Sequence, residues 1–227
     1  MNKKKYISVS VMCSDLMALG SDIKELERLG VDMLHVDVTD AHFVPNLTFG
    51  SGFIKAMHAC TRMPLDIHLM VEEPEVCLQN FSLREGDILT AHVELDRSYD
   101  ALAAQVHKAG CRFGLALNPE TPLCSLERHE GLFDVVLLML VHPGFAGAKL
   151  VDGILDKVAL TRRWLDEHGL QDVEISVDGS VSAERASLMA QTGASIFVGG
   201  TAGIYRPGMA LEETVPAFRE AISAPLV

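Results

Sequence analysis

The chain has 227 residues, 48% of them hydrophobic and 22% charged, with 19 Lys+Arg against 31 Asp+Glu for a net charge of −12. This acidic balance disfavours nucleic acid or an anionic membrane as partner, and the most apolar run, 135–141, falls far short of the ~18 residues that read as a membrane span. The length allows one large domain or a domain with an appendage.

The start, 1–6, is basic, but neither a long apolar segment nor a small-residue cleavage site follows, so no secretion signal is expected. Cys13, Cys60, Cys77, Cys111 and Cys124 are odd in number and form no CxxC pair, which points to reduced thiols and a cytoplasmic location. From there β-rich runs alternate with helical patterns. The expected strands are 7–12, 33–38, 65–71, 88–93, 112–117, 135–141, 173–177 and 195–199, and the helical stretches 15–29, 52–60, 99–109, 154–168, 183–192 and 211–222. Leu16, Ile23, Leu26 and Leu29 fall at near-helical spacing, with Gly30 where a helix C-cap belongs. Gly110, Gly169 and Gly193 repeat that ending. Eight strand-helix units without a linker or low-complexity segment predict one α/β domain over 1–227, a (β/α)8 TIM barrel. A doubly wound open sheet is the rival, but its glycine-rich first turn is replaced here by Cys13, Ser14 and Asp15.

In a barrel the chemistry belongs at the C-terminal ends of the strands. His35 and Asp37 are two apart in the second strand and so point to one face; Asp66 and His68 repeat the pattern in the third, and Asp178 closes the seventh. Buried imidazoles and carboxylates need hydrogen bonds or a metal. His35, Asp37, His68 and Asp178 are therefore candidate ligands for one divalent ion, with Zn²⁺, Mn²⁺ or Fe²⁺ suiting the mixed nitrogen and oxygen set better than Mg²⁺. His58, His107, His129 and His168 stand in helical or loop contexts and are expected at the surface.

Glycine turns after strands six, seven and eight, around Gly144–Gly147, Gly179–Ser180 and Gly199–Gly203, would present backbone N–H groups to an anion. The last two lie where barrel enzymes commonly hold phosphate. No GxxxxGK[ST] segment is present, so nucleotide binding through a P-loop is not expected.

Several segments in order, namely Ser8 to Met12, His35 to Asn46, Asp66 to Met70, His92 to Glu94, Leu117 to Pro122, Met139 to Gly147 and Val177 to Gly179, resemble the ribulose-phosphate 3-epimerase family, which includes allulose-6-phosphate 3-epimerases. The resemblance implies a metal-dependent ketose-phosphate 3-epimerase, with ribulose 5-phosphate/xylulose 5-phosphate or allulose 6-phosphate/fructose 6-phosphate as substrates. It implies metal ligation by His35, Asp37, His68 and Asp178, and acid/base roles for Asp37 and Asp178. Ser10, Met70 and Met139 would contact the sugar, and Gly144, Phe145, Ala146, Gly147, Gly179, Ser180, Gly200 and Thr201 would hold its phosphate. Assembly into a homo-oligomer is also expected.

Three departures stand out. Thr39-Asp40-Ala41 replaces the family's usual Met-Asp-Gly, His142 replaces Asn or Asp, and Ala146-Gly147-Ala148 replaces Gly-Gly-Gln. Exchanging a methionine for Thr39 is expected to change the pocket wall beside the metal. Two other readings stand beside the leading one: a sugar-phosphate binder without turnover, and an epimerase of a different sugar phosphate.

Overall fold

A computed structural model describes residues 3–145 and 147–224. Eight parallel strands close in sequence order: β1 (Tyr6–Ser10), β2 (Met33–Thr39), β3 (Leu65–Met70), β4 (Ile88–His92), β5 (Arg112–Leu117), β6 (Val135–Met139), β7 (Glu174–Asp178) and β8 (Ile196–Gly199). Around them run α1 (Leu19–Arg28), α2 (Ser51–Cys60), α3 (Pro74–Asn80), α4 (Asp100–Lys108), α5 (Ile154–Glu167), α6 (Ala183–Thr192) and α7 (Leu211–Ser223). This is the expected (β/α)8 barrel.

Side-chain alternation explains how it packs. Met33, Ile88, Val135 and Ile196 form a separate buried cluster, with Tyr6 against it. They come from β2, β4, β6 and β8, the alternate-strand layer that fills the interior of such barrels. Residues of the opposite parity, such as Leu34, Val36, Ile67 and Leu89, join the larger core between strands and helices. Since Met33 points inward, so do His35, Asp37 and Thr39. Asp37 is paired in register with His68 of β3, and Met139 of β6 with Asp178 of β7. The neighbouring strands thus bring the polar residues to one end of the ring.

The structure amends several boundaries. The first helix starts at Leu19 rather than at 15, because Asp15 folds the chain into a turn: its carboxylate accepts from Met17 N at 2.9 Å and its carbonyl from Ala18 N at 2.9 Å. The short α3 escaped the periodicity, although Pro74 at its first position is a start signal. The β5 to β6 connection carries a 3-10 helix, Leu123–His129, in place of an α-helix. His129 is buried rather than superficial and lies edge-on to Tyr99, with ring centroids 5.2 Å apart. His58 is also largely covered and sits 2.9 Å from Asp87.

Candidate active site

His35, Asp37, His68 and Asp178 converge at the C-terminal end of the barrel, each offering one ligand atom within 4.8 Å of the others. Asp37 Oδ1 lies 3.2 Å from His35 Nε2 and 3.1 Å from His68 Nδ1, and Asp178 Oδ2 lies 3.9 Å from His35 Nε2. Bonds of about 2.1 Å to a common ion would separate neighbouring ligand atoms by roughly 3.0 to 3.4 Å. Two nitrogens and two oxygens gathered within 4.8 Å, two of their separations in that range, could hold a divalent cation.

The far sides of both imidazoles are engaged. His35 Nδ1 lies 2.8 Å from Asp66 Oδ2, which also accepts from Ser8 Oγ at 2.8 Å. His68 Nε2 lies 2.8 Å from His92 Nε2, and His92 Nδ1 lies 2.8 Å from Glu94 Oε2. Glu94 Oε1 in turn accepts from Asn118 N at 2.7 Å and from the Thr121 hydroxyl. Proton counting orders this row. For His68 to offer a bare Nδ1, its hydrogen must sit on Nε2 and donate to His92 Nε2, and His92 then donates from Nδ1 to Glu94. Outer partners of this kind orient metal-binding histidines.

Electrostatics agree with that order. Burial drives His92 down to about 4 and so keeps it neutral, against the pull of Glu94. Burial would raise Glu94, but His92, Thr121 and the Asn118 amide hold it at about 2. Burial also opposes the charged form of His35, yet Asp37 and Asp66 raise it well above 6.5. The two candidate acid/base groups diverge. Asp37 is held below the usual carboxylate range by His35 and His68 despite its burial, whereas burial and the charge of Asp37 push Asp178 up against the pull of His35.

Above the cluster opens a pocket. Ser10, Asp37, Met70, Met139 and Asp178 line its inner part, while Gly144, Phe145, Gly147, Gly179, Ser180, Gly200 and Thr201 line its rim. Ala146 lies outside the described residues. Gly179, at φ +105, shows why one turn is built as it is: a Cβ there would come within 2.5 Å of Val141 Cγ2. The Val141 side chain and amide thus pack against the turn more closely than a side chain at 179 would permit.

Thr39 stands at the end of β2. It is buried and absent from the pocket wall, because Thr48 claims it: Thr48 Oγ1 accepts from Thr39 N at 3.1 Å and lies 3.2 Å from Thr39 Oγ1, while donating to Asp37 O at 2.6 Å. The threonine therefore braces the strand end that carries Asp37. His142 is exposed, 3.4 Å from Glu120, away from the cluster. Asp66, His92, Glu94, Thr48 and the pocket residues Met12 and Cys13 were not among the sequence-derived site residues. Inward parity on β3 and β4 marks Asp66 and His92, whereas Thr48 lies in a loop whose course no periodicity reveals.

Residues 6–204 match a family model described as the ribulose-phosphate 3 epimerase family. The chain is 39% identical over 196 residues to a ribulose-phosphate 3-epimerase of Bacillus subtilis, covering 86% of this chain and 90% of the relative. A ribulose-phosphate 3-epimerase of Escherichia coli K12 is 36% identical over 206 residues, covering 90% and 91%. Among solved structures, a phosphoribosyl anthranilate isomerase of Thermococcus kodakaraensis superposes with a TM-score of 0.63 at 13% identity, covering 97% of this chain and all (100%) of that one. A thiamine phosphate pyrophosphorylase of Pyrococcus furiosus gives 0.64 at 12% identity, covering 97% and 96%. These two likenesses establish the barrel fold alone.

Proposed function

The chain belongs to the ribulose-phosphate 3-epimerase family and is an isomerase, and from that premise we propose that it inverts carbon 3 of a ketose phosphate by proton transfer between Asp37 and Asp178. The substrate pair is ribulose 5-phosphate/xylulose 5-phosphate or allulose 6-phosphate/fructose 6-phosphate. One observation carries the reading: two carboxylates, from β2 and β7, both reach the pocket floor. Inversion next to a ketone requires removing a proton from one face and returning one to the other, which a single base cannot do.

In this reading one carboxyl starts ionised and the other protonated, and the roles reverse for the opposite epimer. The divergence of Asp37 and Asp178 in acidity suits that division. A divalent ion held by His35, Asp37, His68 and Asp178 would supply Lewis-acid stabilisation of the negative charge that develops on the substrate's oxygens. Zn²⁺, Mn²⁺ and Fe²⁺ suit the donors best. Ser10, Met70 and Met139 position the sugar against the carboxylates, and the methionines exclude water from the reacting carbon. The turns at Gly144–Gly147, Gly179–Ser180 and Gly200–Thr201 take the phosphate through backbone N–H groups. The amide of Ser180 donates to no protein group among the described residues, as such a role requires.

The test is solvent-deuterium incorporation at carbon 3 across a panel of ketose phosphates, read together with epimerisation. The intact protein should exchange and epimerise one pair. Asp178→Asn should lower epimerisation, and exchange from the epimer whose proton Asp178 removes, by about 10²- to 10⁴-fold. Undiminished epimerisation in that variant would sink the two-carboxylate assignment, and a protein that binds these sugars but exchanges none would be a binder without turnover.

A further inference from the structure

The rim of the pocket has no lysine or arginine among its described lining residues, although the proposed ligand carries a phosphate. We propose that Arg185 supplies the missing cation indirectly, as a positioning residue that acts through Ser180. This inference rests on the sugar-phosphate reading above.

Arg185, in the first turn of α6, donates from Nη1 to Ser180 O at 2.6 Å and to Ser180 Oγ at 2.9 Å. A guanidinium has only donors, so the serine hydroxyl must accept from it and its single hydrogen is left to point elsewhere. Among the described residues that hydrogen finds no protein acceptor, and Ser180 lines the pocket. An accepted charge-assisted bond also strengthens the hydroxyl as a donor. The result is a polarised O–H beside the free amide of the same residue, both available to an anion.

Two further features point the same way. Ser180 sits at φ +53, in the left-handed region that non-glycine residues avoid, and both bonds from Arg185 hold it there. The charge of Arg185 is also not spent. Arg28, Arg97, Arg112, Arg128, Arg162 and Arg219 each pair with a carboxylate, while among the described residues none lies in ion-pair reach of Arg185. Glu184, in the same turn, is exposed and feels Arg206 more strongly than Arg185. The Arg185 amide is fixed by the helix cap Ser182 Oγ at 3.3 Å, so the side chain springs from a defined point.

The experiment uses the metal-loaded full chain and inorganic phosphate as probe, titrated calorimetrically, alongside steady-state kinetics on the phosphorylated ketose. Arg185→Met should weaken phosphate binding about tenfold or more and raise KM by a similar factor, with a smaller change in kcat. Arg185→Lys should recover part of the loss. Ser180→Gly should weaken phosphate binding several-fold, and adding Arg185→Met to it should cost little more, because the two residues act as one. Rising NaCl should weaken the parent protein more than Arg185→Met. A folded Arg185→Met protein with parental phosphate affinity and KM would overturn the proposal. If that variant does not fold, Arg185→Lys and Ser180→Gly carry the test, and parental affinity in Ser180→Gly overturns it equally. A parent protein that binds neither phosphate nor phosphorylated ketose would instead remove the sugar-phosphate reading itself.

Discussion

Glu94→Gln tests whether the row from His68 through His92 to Glu94 sets the metal site from behind. The glutamate gathers three donors on two oxygens: His92 Nδ1, Asn118 N and the Thr121 hydroxyl. Holding its carboxyl near 2 rather than the ordinary 4.5 corresponds to about 3 kcal/mol in favour of the charged form. Glutamine keeps one acceptor oxygen and gains an NH₂. If the oxygen stays with Asn118 and Thr121, the NH₂ faces His92 Nδ1 and favours a hydrogen on His92 Nε2. That hydrogen meets His68 Nε2, which must then accept, placing the His68 proton on Nδ1, the atom aimed at Asp37 and the ion. Removing partners behind metal-binding histidines typically costs 10- to 100-fold in affinity, and that is the loss expected for Mn²⁺ or Zn²⁺ in a chelator competition assay. Stability without metal should change little, since the reversed row leaves every donor facing an acceptor, with His68 Nδ1 donating to Asp37 Oδ1. A folded variant with parental metal affinity would refute the relay and leave Glu94 as a brace for the β5 loop.

Three other outcomes follow from the geometry. Metal binding near pH 7 should release at least one proton, because Asp37 and Asp66 hold His35 protonated there until an ion displaces its hydrogen; affinity should rise with pH by up to about tenfold per pH step. The same raised value means that the metal-free protein gains stability from His35 below about pH 6.5 and loses it as pH climbs through the folded-state value; metal titrations and melts at several pH values read both, and a flat metal affinity would count against a protonated His35. Ala41→Gly should stabilise by up to about 1 kcal/mol, since Ala41 sits at φ +62 and relief of left-handed strain outweighs the added freedom of the unfolded chain; a Tm rise of about 2–4 °C is expected, and a fall would contradict it. Lys157→Met should destabilise by about 2 kcal/mol, because Lys157 Nζ donates to the carbonyls of Asn118, Pro119 and Thr121 at 2.9, 3.0 and 2.7 Å; unchanged melting would show that water replaces the ammonium without cost.

What could be read from the chain and what could not divides along a physical line. Periodicity two fixes the parity of a strand, so His35, Asp37 and His68 could be placed inside a ring before any coordinates, and they do meet there. The same parity puts Asp66 and His92 inside, but parity cannot tell a ligand from the group behind it; that depends on height along the barrel, which the register of neighbouring strands sets. Thr39 illustrates the complementary failure. Its direction is correct, yet its partner Thr48 comes from a loop nine residues on, and loop paths leave no periodic trace. The helix start missed by four residues has a similar origin, a local turn made by the Asp15 side chain competing with the helix.

Charge is the quantity least transferable from composition to site. A net −12 describes a surface, whereas an anion in the pocket responds to the few groups within a Debye length and shielded from water. There the balance differs: Asp37 and Asp178 sit with His35 and His68 in a cluster that could hold a divalent ion. Arg185 then stands behind Ser180 with no carboxylate among the described residues in ion-pair reach. Cationic side chains that touched the phosphate directly would also attract anions without discrimination and hold product tightly. A positive group acting through a hydroxyl and backbone amides gives a weaker, more directional hold, which suits a reversible epimerisation whose two sugars must both leave.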